Sequence, residues 1–277
     1  MTVSLPFVEQ ADPQKPAKLP TMYDLPSQDP EEPGLPDEFH NLQPQLLSAT
    51  LRLTNVSRER IFTGTDLNLY YDVQNPFWHK RPDWFVAIGV PRLYANSDLR
   101  LSYVIWDEQV NPSVIVELLS PGTDKADTAV GGFPDLEQVS KREDLGQTIS
   151  AAGEPPTKWQ VYERVLKLPY YVLFDRYSGI LRAYQLVEER YQELQILAGR
   201  IWLPDLNIGL GLWQGEYQGI SRQWLRWLND EGNWIPTDFE QERQQRLRAE
   251  QQRDTAEEKA NRMAKQLKAL GVDPDQI

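Results

Sequence analysis

No cysteine occurs in the 277 residues, and there are only two histidines, His40 and His79. These gaps remove disulfides, thiolate catalysis and cysteine-based zinc sites, and leave little for a histidine-based metal centre. A metal ion here would be held by oxygen ligands, which suits magnesium or manganese. Also missing is any apolar run of about 18 residues, the length a membrane helix needs. The start, MTVSLPFVEQADPQKP, has neither the basic opening nor the apolar stretch of a signal peptide, so a cytoplasmic protein without a membrane partner is expected. Positive charge is short as well: 29 Lys and Arg face 41 Asp and Glu, a net charge of −12. That balance argues against coating nucleic acid through bulk electrostatics, and leaves room for a local basic cleft.

The chain does have 40% hydrophobic and 10% aromatic residues, enough for a packed core. Residues 1–36 are rich in Pro, Asp and Glu without an apolar period and read as an arm; half of the charge excess, −6, falls within residues 1–39. A helix or part of one is expected around LPDEFHNLQPQLLSATLRL, weakened by Pro44. Short β-branched or aromatic segments bounded by Asn, Pro, Gly and Asp then read as strands: DLNLYYDV, DWFVAIGV, LSYVIWD, SVIVELL, YYVLFDRY, ILRAYQLV, YQELQIL and GRIWLPDL. The one clear internal helix is Thr157–Leu168, with Thr157 as N-cap and Pro169 as the stop. Ahead of it lies a long polar segment, residues 122–156, of a length that is usually functional or disordered. The expected organisation is an N-terminal arm (1–36), a main domain (37–236) and a charged helical tail (237–277) with a weak coiled-coil pattern rich in alanine.

Glu117 stands in the middle of the apolar run Val114–Leu119, where an unpartnered carboxylate costs several kcal/mol or shifts its pKa until it is neutral. Asp83 opens a second, nearly continuous apolar strand. Strand alternation puts Asp83 on one face with Phe85 and Ala87, and Glu117 on one face with Ile115 and Leu119. Two acids on neighbouring strands would then converge. The helix offers a partner: its apolar stripe is Val161, Tyr162, Val165 and Leu166, and Lys158 precedes the first two by three and four residues, on the inward face. A lysine there satisfies the acids without metal; with metal, it can hold a water for attack.

Taken in order, RPDW, SVIVELLSPGT and TKWQVYERVLKLPYYVLFD resemble the Uma-type family of restriction endonucleases, a branch of the PD-(D/E)xK nuclease superfamily, over about residues 35–213. The resemblance implies an α/β, restriction-endonuclease-like core with a central mixed sheet flanked by helices. It matches Pro82 and Asp83 to the Pro-Asp element and Glu117 to the second acid. The lysine usual two residues later is absent, since Leu119 stands there, and the family's helix lysine corresponds to Lys158. The resemblance further implies a DNA endonuclease in which Asp83 and Glu117, with the backbone carbonyl of Leu118, bind Mg²⁺ or Mn²⁺, and Lys158 positions the attacking water. Lys80 and Arg81, beside His79, would contact substrate phosphates, as would Lys125, Lys141 and Arg142 in the long segment. A homodimer through the tail would suit an enzyme that cuts two strands. The competing reading is a silent nuclease fold that serves as an assembly scaffold, with the same three side chains as a structural ion cluster. The glycines of GLGLWQG have no phosphate-loop arrangement and are assigned no nucleotide site.

Overall fold

The structure, a computed structural model, describes residues 19–21, 24, 37–119 and 155–269. Its first helix, α1 (Glu38–Thr50), begins where the Asp37 side chain accepts the backbone N–H groups of Phe39 and His40. That cap satisfies two donors that no helical carbonyl can reach. Pro44 sits within α1 without ending it, and the helix runs on to Thr50.

The main sheet has six strands in the order β1 (Ile61–Thr65), β4 (Trp84–Ile88), β6 (Val114–Leu119), β7 (Tyr170–Asp175), β8 (Ile180–Val187) and β9 (Arg190–Glu193). Only β6 and β7 run parallel; every other pair in this sheet is antiparallel. A parallel pair needs a crossover, and here it holds the short helix α3 (Lys158–Gln160), continued by a π-turn over Val161–Val165. Beside the main sheet stand two small ones: β3 (His79–Lys80), β2 (Leu69–Tyr70) and β5 (Tyr103–Val104), and then β10 (Arg200–Leu203), β11 (Ile208–Tyr217) and β12 (Ile220–Leu228). A four-residue helix α2 (Ile105–Glu108) follows β5, and a long helix α4 (Asp238–Ala269) comes last. This is the mixed α/β architecture expected from the sequence.

Alternation along the strands sorts the core into two layers. Trp84, Val86, Val114, Val116 and Leu118 face α1 and the β10–β12 sheet, packing with Phe39, Leu46, Leu47, Trp224 and Trp227. Phe85, Ala87 and Ile115 face the other way, towards Val161, Tyr162, Leu166 and Tyr171. Close backbone approach explains one glycine: a Cβ on Gly64 would fall 2.2 Å from the ring of Phe85, its partner across β1 and β4.

Local expectations fail in informative places. LSYVIWD is a two-residue strand that turns into α2, and DLNLYYDV keeps only Leu69–Tyr70 as strand. Strands β1, β11 and β12 escape the sequence reading, β11 because glycines at 209, 211 and 215 lower its apparent strand character. There the glycine has a packing cause, since a Cβ on Gly211 would lie 2.8 Å from the carbonyl of Gly199. The expected helix Thr157–Leu168 is helical to Val165 only and widens into a π-turn, with Leu166 donating to the Val161 carbonyl at 2.8 Å. Extra residues in a turn rotate the side chains beyond it. Val165 is therefore exposed, and Glu163 is buried instead.

Candidate active site

The register that pairs Trp84 with Val116 brings Asp83, one residue before β4, alongside Glu117. Asp83 Oδ2 accepts the backbone N–H of Leu118 at 2.6 Å, which pins the carboxyl group to the rim of β6. Its side chain is also a hydrogen-bond neighbour of the Glu117 carboxyl group. Glu117 itself is only 3% exposed. Two donors from the crossover reach it: Lys158 Nζ lies 3.1 Å from Oε2, and the Tyr162 hydroxyl donates to Oε1 at 3.1 Å. The local sequence explains that reach. Thr157 caps the helix in a reciprocal box with Gln160, so Lys158 takes the first helical position with Tyr162 one turn behind it, both aimed at β6.

On the opposite layer, α1 delivers a side chain that the sequence pattern does not single out. His40, 2% exposed, sets Nε2 2.9 Å from the carbonyl oxygen of Leu118 and Nδ1 3.0 Å from Asp37 Oδ1. Asp37 in turn holds Arg176, at the end of β7, across 2.7 Å. The one sequence signal for it is the spacing of Asp37 and His40 at a helix start, and a chain with two histidines gives that signal little weight. Tyr162 reads as core from its spacing; it is fully buried and also hydrogen-bonded to Glu117.

Charge and burial conflict here. Burial raises the Asp83 pKa above its usual range, against the opposing pull of the Lys158 charge, the Leu118 N–H, His40 and Glu117. At Asp37 burial also pushes upward, but the hydrogen bonds and charge of His40 and the charge of Arg176 hold its carboxyl group below the usual range. Two adjacent buried carboxyl groups that face one lysine are stable together only if one keeps a proton or a cation joins them.

The remaining residues singled out from the sequence are engaged as follows. Arg81 forms a 2.6 Å ion pair with Asp66 and donates from Nε to the Asp66 carbonyl; Lys80 sits in β3, opposite Leu69. Lys125, Lys141 and Arg142 fall outside the described residues. Among the described residues, no group of three or more His, Cys, Asp and Glu is arranged to hold a metal ion. A smaller oxygen set is present: two carboxylates and the Leu118 carbonyl, which has one lone pair left beside His40. Such a set fits a hard divalent cation that keeps several of its waters.

An acid at a strand mouth, an acid within the next strand and a lysine from the crossover helix, on a mixed sheet, form the layout that the nuclease resemblance implies. The family model described as "Putative restriction endonuclease", Uma2, matches residues 17–215, and the chain belongs to this family. Among solved structures, one described as "a putative nuclease belonging to DUF820" from Anabaena variabilis ATCC 29413 matches at 15% identity, covering 62% of this chain and 76% of that one, with a TM-score of 0.37. No curated protein matches the chain. Among the described residues, no helix is long and apolar enough to cross a membrane.

Proposed function

We propose that the protein is a metal-dependent endonuclease that hydrolyses phosphodiester bonds in DNA. The observation that carries this reading is the pair of adjacent buried carboxyl groups, Asp83 and Glu117, served by the single ammonium of Lys158. A purely structural cluster has no use for a second acid, because Lys158 and Tyr162 already satisfy Glu117. Asp83 and Glu117, with the Leu118 carbonyl, would hold Mg²⁺ or Mn²⁺. When bound, such an ion polarises the scissile phosphate and lowers the pKa of a coordinated water.

The chain's own groups divide the remaining work. Lys158 presents its ammonium beside Glu117, where it orients the attacking water and offsets the negative charge that grows on the phosphate in the transition state. Tyr162 fixes the Glu117 carboxylate so that one oxygen faces Lys158. His40 fixes the Leu118 carbonyl from the opposite layer. The Leu118 N–H holds Asp83 in place, and the dry layers on both sides of β6 make these charges count for more than they would in water.

The test is plasmid nicking with Mg²⁺, with Mn²⁺ and with EDTA, on wild type, Asp83→Ala and Lys158→Ala. The expected result is nicking that requires divalent metal and disappears in both variants. Wild-type protein that never nicks would favour a silent nuclease fold used for assembly.

A further inference from the structure

Next to the acid pair, three elements assemble a cationic surface that the proposed chemistry does not yet use. Arg176, just after β7, has its guanidinium 5.3 Å from the centroid of Phe39 in α1 and 4.4 Å from that of Tyr177. Arg222, from β12, lies 4.4 Å over the same Phe39 ring and 5.5 Å from the ring of Trp224. Phe39 and Trp224 are themselves stacked at 5.5 Å. Two guanidinium groups are thus seated on one aromatic platform. Asp37 and the Tyr177 hydroxyl engage Arg176. Among the described residues, no hydrogen bond or ion pair engages the Arg222 guanidinium group.

That arrangement is costly unless it has a use. Arg222 is half-buried, and its Nε, like that of Arg176, is shut away from solvent without an acceptor. Burial, and then the neighbouring Arg176 charge, lower the Arg222 pKa below its ordinary value. Among the described residues, Asp37 is the carboxylate that faces both arginines, and it is shared with His40. Positive charge therefore exceeds negative charge at this spot, in a chain whose net charge is −12.

The position is equally specific. β6 and β7 are parallel with Leu119 opposite Asp175, so Arg176 emerges at the end of the sheet where Glu117 and Leu118 sit. The chain of contacts Arg176, Asp37, His40, Leu118 carbonyl ties the platform directly to the candidate active site. We propose that Arg176 and Arg222 form a phosphate subsite that grips the DNA backbone near the bond to be cut. It rests on the nuclease reading for the identity of the ligand. Planar guanidinium groups meet phosphate oxygens in a fixed fork, and stacking on aromatic rings holds that fork in place before the ligand arrives. Arg222 has its donors uncommitted, and Arg176 is the positioning member that fixes the platform to Asp37.

The experiment is fluorescence anisotropy of a fluorescein-labelled 20-base-pair duplex with the full chain in EDTA, so that binding is read without cleavage, across a NaCl series. Wild type is expected to bind with a steep salt dependence. Arg222→Gln is expected to weaken binding roughly 3- to 10-fold and to lower the slope of log K against log salt by about 0.9, the loss of one phosphate contact. Arg222→Lys, which keeps the charge, should restore most of the slope. Arg222→Met keeps an apolar chain over Phe39 and serves as the second charge-removing variant if Gln disturbs the stack. Absent wild-type binding, or unchanged affinity and slope in a folded charge-removing variant, would overturn the subsite. Plasmid nicking separates the two ideas: nicking by a wild type whose Arg222→Gln variant binds normally sinks the subsite alone. Binding through Arg222 without any nicking keeps the subsite and sinks the nuclease reading.

Discussion

Glu117 and Glu163 are buried to almost the same depth, at 3% and 4% exposure, and both touch the crossover segment around α3, yet their surroundings are opposite. Glu163 accepts the backbone N–H of Tyr191 at 3.0 Å and Arg190 Nη1 at 3.1 Å, with Arg164 Nε at 3.4 Å. Every neighbour of Glu163 in this set is a donor. Glu117 has two donors, Lys158 and Tyr162, and then a second acid, Asp83, pressed against it. A fold that only needed to satisfy a buried carboxylate has the means, as Glu163 demonstrates. Burying a second acid against Glu117 is therefore a cost that stability alone does not explain, which is the pattern expected of a functional site.

Substitutions at the two places should separate activity from stability. Glu117→Gln and Asp83→Ala are expected to reduce metal-dependent nicking by at least about 10²- to 10³-fold, because each removes charged groups that act on the transition state. Glu163→Gln should leave nicking within a few-fold of wild type. Its effect belongs in thermal unfolding instead: weakening the acceptor for a buried N–H costs about 1–3 kcal/mol, or several degrees in Tm. Equal loss of nicking at both glutamates would erase the contrast.

Asp83→Asn probes the same contrast from the other side. The amide still accepts from Leu118 N–H and can donate to Glu117, while the like charge is gone. Without metal, the variant should be more stable than wild type near neutral pH by on the order of 1 kcal/mol. The pH dependence has a definite sign. Because the folded Asp83 pKa lies above its ordinary value of 3.8, the folded state holds this proton longer, and this group's contribution falls as pH rises from about that value through the raised folded pKa. The Tm advantage of Asp83→Asn should therefore grow with pH over that window and then level off. Divalent binding displaces the same proton, so metal affinity should increase with pH across it. A Tm difference that shrinks as pH rises would contradict the assignment.

The smallest effect is expected at the far end of α4. Near its start, the helix is fastened by Asp238 to Arg52 and by Glu240 to the buried Arg226, but residues 241–262 are exposed throughout. Removing residues 250–277 should shift Tm of the core by no more than about 2 °C, since residues 250–262 are exposed. A larger shift at constant protein concentration would reveal contacts made by that segment.

Much of this layout was legible in the sequence for a physical reason: charged residues inside apolar strands are rare enough to stand out. Glu117 declared itself that way within β6, Asp83 by opening the apolar run of β4, and Lys158 by its place on the inward face of the helix before β7. The strands holding them were equally plain, because β4, β6 and β7 are buried on both faces and read as continuous apolar runs. His40 was not legible, since its role depends on α1 packing across β6 at a distance of 78 residues. Nor was the π-turn, because the same stretch satisfies an ordinary helical period and only packing decides that Glu163 rather than Val165 turns inward. The arginine platform joins α1, the end of β7 and β12, and local pattern does not bring those segments together.

Whether Asp83 and Glu117 are paired to hold a divalent cation is decided by calorimetric titration of Mn²⁺ into wild type and Asp83→Asn at neutral pH. A cation site there gives saturable binding in the wild type, and its loss in a variant that remains folded and unfolds at a higher temperature. Wild-type protein that binds no Mn²⁺, or an Asp83→Asn variant that binds it unchanged, would contradict the pairing.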